Sequence, residues 1–286
     1  MSQSAFELTL PDRRLSCVVF ASPHSGRRYT WRFLRQSRLD EVVIRSSEDA
    51  FVDQLFDAAP EFGAPLLCAA MPRAFVDLNR SPDELDPALI AGAQRRGQNP
   101  RVASGLGVIP RVVSNGRAIY AGKLSMSEAR DRIERFWRPY HAALQQQLDE
   151  AHRHFGQAIL VDCHSMPHEA MDGVARRGAG CPQIVLGDRF GAAAAGEVVD
   201  RIEAAFAAAG LRVTRNAPFA GAYVTQAYGR PSRRQHAIQV EIDRSIYMDE
   251  RQVLPSANFQ SFRALLRQVI ADIAEIGQNR LPMAAE

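Results

Sequence analysis

Short apolar runs alternate along the chain with segments whose apolar side chains recur every three or four positions, and polar motifs fall where the short runs stop. Leu15–Ala21 (LSCVVFA), Ala64–Ala70, Ala158–Val161 (AILV), Gln183–Gly187 and His236–Ile242 predict strands buried on both faces. Between the first two, Val52, Leu55, Phe56, Ala59 and Phe62 predict a helix capped by Ser46 or Ser47 and closed by Gly63. A longer amphipathic helix is expected from Ser127, with Ile133, Phe136, Trp137, Tyr140, Leu144, Leu148 and Phe155 on one stripe and Gly156 at its end. Pro139 lies inside that stripe and predicts a kink or a split. An Ala-rich helix running to Ala209 and a last one from about Ser256 to Ile276 complete the set. The stretch from about Pro72 to Gly122 is loop-rich, and loops of that length usually carry function.

Strands separated by helices predict an α/β protein, a mainly parallel sheet covered on both faces as three α/β/α layers. With no internal repeat, low-complexity tract or linker, residues 1–286 read as one domain.

Composition narrows the function classes. The chain is 46% apolar and 23% charged, ordinary for a soluble globular protein. No uncharged apolar stretch is long enough to span a bilayer, and MSQSAFELTLPDRR lacks the apolar core of a signal peptide, so a cytoplasmic protein without membrane contact is expected. A net charge of +3 gives no argument for nucleic acid. Lys123 is the only lysine, and arginine's planar fork is the better clamp for a carboxylate. Cys17, Cys68, Cys163 and Cys181 are widely spaced and read as reduced thiols. Nothing in the sequence sets an oligomeric state.

The polar motifs lie where open α/β sheets bind ligands, beyond the carboxyl ends of strands. The first strand ends in Ser22-Pro23-His24-Ser25-Gly26, and AILV runs into Asp162-Cys163-His164-Ser165. Alternation puts Asp162 and His164 on one side of that strand, where Asp162 can steady a ligand, and Cys163 on the other. That geometry disfavours Cys163 as a nucleophile with His164 as its base. Two histidines need a carboxylate to complete a three-ligand hydrolytic zinc site, and Glu48, Asp49 and Asp53 are the candidates. Glu241 sits in the apolar run AIQVEI just before Asp243-Arg244-Ser245, where a carboxylate is costly unless used. Its alternative is an edge strand with Gln239 and Glu241 facing water. Arg73 and Arg80, with Asn79, flank another apolar segment and could grip a carboxylate, and the Gly- and Tyr-rich stretch 219–231 suggests a pocket wall or lid.

Taken in order, SPHSG (22–26), SEDAFVDQLF (47–56), PRAFVDLNR (72–80), AIYAG (118–122), DCHSM (162–166), GAYVTQAYGRP (221–231) and HAIQVEIDRSIYMDE (236–250) resemble the N-formylglutamate amidohydrolase family, relatives of zinc carboxypeptidases and aspartoacylases. The resemblance implies a phosphorylase/hydrolase-like fold and a zinc-dependent amidohydrolase, with other divalent transition metals able to substitute. It implies His24, Asp49 and His164 as metal ligands, and Glu241 as general base and acid with Arg80 beside the reacting centre. Arg73, Asn79, Arg80, Gly221, Tyr223, Arg230 and His236 would contact a small acidic N-acyl amino acid, with Arg111 in reserve. There are departures. The related carboxypeptidases take a glutamate ligand three residues after the first histidine, where this chain has Arg27. The rival readings are a hydrolase of another N-acyl amino acid or small peptide, a non-catalytic zinc-dependent binding protein, and a metal-free Cys163 hydrolase.

Overall fold

The computed structural model describes residues 4–94, 99–173 and 181–278; residues 95–98 of the predicted loop-rich stretch lie outside it. Strands β1 (Phe6–Thr9), β2 (Val18–Ser22), β3 (Leu66–Ala69), β4 (Ala158–Met166), β5 (Ile184–Gly187), β6 (Val213–Arg215) and β7 (Gln235–Asp243) form one sheet in the order β1-β3-β2-β4-β7-β5-β6. Strands β3, β2, β4 and β7 are parallel; β1 runs antiparallel to β3, and β5 antiparallel to β7. Helices cover both faces, as the alternation of elements predicts. Phe259–Ile276 packs with Gly196–Ala208 and Val52–Leu55 on one side, and Arg138–Phe155 lies against β2 and β4 on the other. The core is continuous and dominated by aliphatic strand residues such as Val18, Val19, Ile159, Leu160, Ile238 and Val240.

The chain leaves β2 for β3 on one side of it and returns to β4 on the other. The crevice between the carboxyl ends of β2 and β4 is thus a topological switch point, the place where such sheets bind ligands. Strand β4 is longer than its apolar run. It continues through Asp162, Cys163 and His164 to Met166 because β7 pairs with it in register over its whole length, His164 opposite Glu241. Strand β7 is internal, between β4 and β5, so Gln239 and Glu241 do not face water as an edge strand would allow; both are buried.

Two helices differ from their predicted form. The segment after Ser47 is broken: a 3-10 turn at Val43–Ser47, a single helical turn at Val52–Leu55 and another 3-10 turn at Ala59–Phe62. Neither Ser46 nor Ser47 caps the helix. Phe51 does, in left-handed backbone (φ 67°), because Asp49 is drawn toward His24, whose carbonyl its N–H meets. In the long helix Ser125, not Ser127, is the N-cap, its hydroxyl accepting from the N–H of Glu128. The predicted interruption at Pro139 takes the form of a change of helix type between Met126–Arg132 and the segment that holds the proline. A π-helical stretch, Ile133–Trp137, precedes Arg138–Phe155, and its wider turn absorbs the carbonyl that a proline ring would otherwise strike.

The exit from β2 is tightly fitted. A Cβ built on Gly26 would stand 2.1 Å from the carbonyl oxygen of Met71, a backbone atom that cannot rotate away. Gly26→Ala is expected to cost about 1–3 kcal/mol of stability, read by denaturant unfolding, because the loop carrying His24 must move off the end of β3.

Candidate active site

Three side chains from separate elements meet at the carboxyl edge of the sheet. His24 follows β2, Asp49 precedes the turn at Phe51, and His164 is on β4; one ligand atom from each lies within 4.8 Å of the others, and all three residues are buried. The two imidazoles sit edge to face with ring centroids 4.7 Å apart. Each has its Nε2 held by a second carboxylate: His24 by Asp77 Oδ1 at 2.7 Å, His164 by Asp162 Oδ2 at 3.0 Å. A carboxylate only accepts, so each Nε2 carries the proton. The Nδ1 atoms are then the ones directed at Asp49 Oδ2, 2.8 Å away for His164 and 3.4 Å for His24.

This arrangement suits a divalent cation. His24 Nδ1 is buried without a hydrogen-bond partner among the described residues, a cost that a metal would remove. A carboxylate on the far nitrogen of a histidine ligand is the usual support for such a site. Burial by itself would lower the pKa of His164, but Asp162 and Asp49 outweigh it and hold it well above the ordinary value. Burial would likewise raise Asp49, yet His164 and His24 hold it well below the usual carboxylate range. A proton between His164 and Asp49 thus occupies the place that a cation would take.

Glu241 borders the same cavity of about 290 Å³ as the three residues. Gln239, two residues earlier on the same side of β7, donates to Glu241 Oε1 at 2.7 Å. Burial pushes the Glu241 pKa up to about 7, with Asp49 adding to it and His164, Arg73 and Arg244 opposing. Below its ordinary value of 4.5 the carboxyl is protonated both folded and unfolded, so it costs nothing. Between 4.5 and about 7 the unfolded chain ionises first and stability falls as pH rises, the loss being complete above that range. In metal-free protein, Glu241→Gln is expected to raise the melting temperature at pH 8 and leave it unchanged at pH 4, read by thermal unfolding after chelation.

Residues 16–248 match the model of the N-formylglutamate amidohydrolase family. The chain belongs to the N-formylglutamate amidohydrolase family. A curated N-formylglutamate deformylase of Pseudomonas putida is 30% identical over 92% of this chain and 94% of its own length. The N-formylglutamate deformylase of Pseudomonas aeruginosa is 31% identical over the same shares. A crystal structure of N-formylglutamate amidohydrolase from Ralstonia eutropha JMP134 has a TM-score of 0.87 at 33% identity, covering 95% of this chain and 98% of that one.

Within this family member, the structure separates the candidate residues. Of the three possible carboxylates, Asp49 alone joins the histidines. Glu48 accepts from Tyr29 and Arg45, and Asp53 pairs with Arg27 at 2.7 Å. Arg73, Arg80 and Gly221 line the cavity. Arg73 donates through Nε to Asp77, and Arg80 through Nε and Nη1 to backbone carbonyls, leaving N–H groups of both without a partner among the described residues. Asn79 also borders the cavity, but its amide is engaged within the protein: Oδ1 accepts from the N–H of Val224, and Nδ2 donates to Asp162 at 3.5 Å.

Tyr223, Arg230 and His236 do not reach the cavity. Only the start of the Gly- and Tyr-rich stretch forms its wall; Tyr223–Tyr228 is a helix leading away, with Tyr223 packed on Trp137 and His141. Arg230 is exposed and donates to the carbonyls of Gln226 and Gly229, and Arg111 binds Asp86. His236 stands opposite Ile159 at the other end of the sheet and accepts from the N–H of Ala195. Cys163 is buried on the side away from His164 with its thiol pKa raised well above the ordinary value by burial, which argues against a thiolate nucleophile. Sequence reasoning gave no role in the site to Asp77, Gln239 or Arg244. Asp77 had a signal, a lone acid between Val76 and Leu78; the other two are recognisable only once the strand register is known.

Proposed function

We propose that the chain hydrolyses the N-formyl amide of N-formyl-L-glutamate, giving formate and L-glutamate, as a metal-dependent amidohydrolase. The observation that carries this reading is the convergence of two carboxylate-supported histidines and Asp49 beside the buried Glu241. The names of the relatives supply the substrate. A divalent cation held by His24, Asp49 and His164, zinc first among candidates, would supply polarisation of the amide carbonyl and a lower pKa for attacking water.

Glu241 takes the proton of that water as its oxygen bonds the formyl carbon, and returns it to the amide nitrogen as the C–N bond breaks. A carboxyl with a pKa near 7 suits both transfers at neutral pH. Arg80 and Arg73, with N–H groups to spare, meet the carboxylates of the substrate, and Arg80 also faces the developing oxyanion. Arg101 borders the cavity as a further cation. Asn79 serves this scheme by holding Asp162 and the helix at Val224 rather than by binding substrate.

The test is release of formate from N-formyl-L-glutamate and formylmethionine, and of acetate from N-acetylglutamate and N-acetylaspartate, before and after chelation. Chelator-sensitive release confined to formylglutamate is the expected result. Turnover of another acyl amino acid would keep the chemistry and move the substrate. Binding without turnover of any of them would point to a zinc-dependent binding protein.

A further inference from the structure

Arg244 lines the cavity yet is not a free clamp for substrate. It is buried, and its guanidinium is spent on three elements at once: Nε donates to Ser165 Oγ at 3.1 Å, Nη1 to the Ser46 carbonyl at 3.4 Å, and Nη2 to Asp49 Oδ1 at 3.0 Å and the Ser165 carbonyl at 3.4 Å. Ser46 lies three residues before Asp49 and Ser165 one after His164, while Arg244 itself follows Glu241 by three. The two oxygens of Asp49 are thereby given different work. Oδ1 is capped by a cation, and Oδ2 alone faces the Nδ1 atoms of His24 and His164.

We propose that Arg244 is a positioning residue that makes Asp49 a one-oxygen metal ligand. The inference rests on the metal-dependent reading of the site. A carboxylate is free to bind a cation through one oxygen or two. With Oδ1 held by Arg244 the second mode is closed, and the coordination positions beyond the three protein ligands stay available for water and substrate. The same hydrogen bond withdraws charge from the carboxylate, making it a weaker donor and the cation a stronger Lewis acid.

The experiment uses the full chain with cobalt(II) as a visible probe of coordination number, in the wild type, Arg244→Met and Arg244→Lys. The wild type is expected to show the intense visible band of a low-coordinate site. Arg244→Met should bind cobalt at the same stoichiometry with a weaker band, as Oδ1 joins the coordination. Arg244→Lys, which can still cap Oδ1, should restore the wild-type band. An unchanged spectrum in Arg244→Met overturns the proposal. Should that variant fail to fold, X-ray absorption on the zinc-loaded wild type decides: one carboxylate oxygen at ligand distance supports the proposal and two overturn it. Failure of the wild type to take up any divalent metal removes the underlying reading, whereas two-oxygen binding overturns this inference alone.

Discussion

Glu241→Gln is expected to keep one metal ion per chain and to lower kcat on formylglutamate about 10²–10⁴-fold, the range typical of a lost general acid–base group. The substitution preserves shape and the contact with Gln239 while removing the basicity that the buried position raises. KM should change little, because the cations lining the cavity are untouched. Metal analysis with steady-state kinetics reads both halves, and a near-normal rate would remove Glu241 from the reaction. The same change should stabilise the metal-free protein at pH 8, so one side chain carries both a cost to folding and the proposed proton transfer.

His164→Ala is expected to lose both metal and measurable turnover. In the proposed site His164 supplies one of three ligand atoms, and its removal leaves Asp49 and Asp162 as buried carboxylates deprived of their common partner. Chelation should bring the wild type to the same inactive state, and added zinc should rescue the wild type only. Asp162→Asn is the milder control. It weakens the hold on Nε2 without removing a ligand, so metal affinity should fall about 10–100-fold, read by competition with a chromogenic chelator. Equal affinity in that variant would mean that Asp162 does not support the site.

Much of this site is legible before any coordinates because its chemistry sits at predictable places. Strand runs can be recognised by their apolar continuity, and His24, His164 and Glu241 follow or end them. The sheet's short edge strands were missed for the converse reason: Phe6–Thr9 alternates half-buried positions with exposed ones, and Val213–Arg215 is only half-buried throughout, so neither has an apolar run. The helix predicted after Ser47 has correct apolar spacing, but spacing does not reveal that Asp49 is held by His24 and Arg244 at the cost of helix continuity. His236 and Tyr223 illustrate the opposite error. They lie in motifs adjoining functional residues, yet the strand carries His236 to the far end of the sheet and the helix takes Tyr223 out of the wall. Proximity in sequence is a poor guide along an extended strand, where each residue advances about 3.3 Å.

The division of labour between sheet and loop has a consequence for how such an enzyme can diverge. Two of the three proposed ligand residues and Glu241 stand on or just beyond central strands whose pairing is fixed residue by residue, whereas Arg73, Arg80, Arg101 and Ser114 all come from the loop-rich segment between β3 and the helix beginning at Met126. Loops tolerate insertion and substitution that a buried ladder does not. Mutational libraries aimed at new acyl amino acids therefore belong in that segment and in the wall at residues 218–222: selectivity can drift there while the hydrolytic apparatus is inherited unchanged.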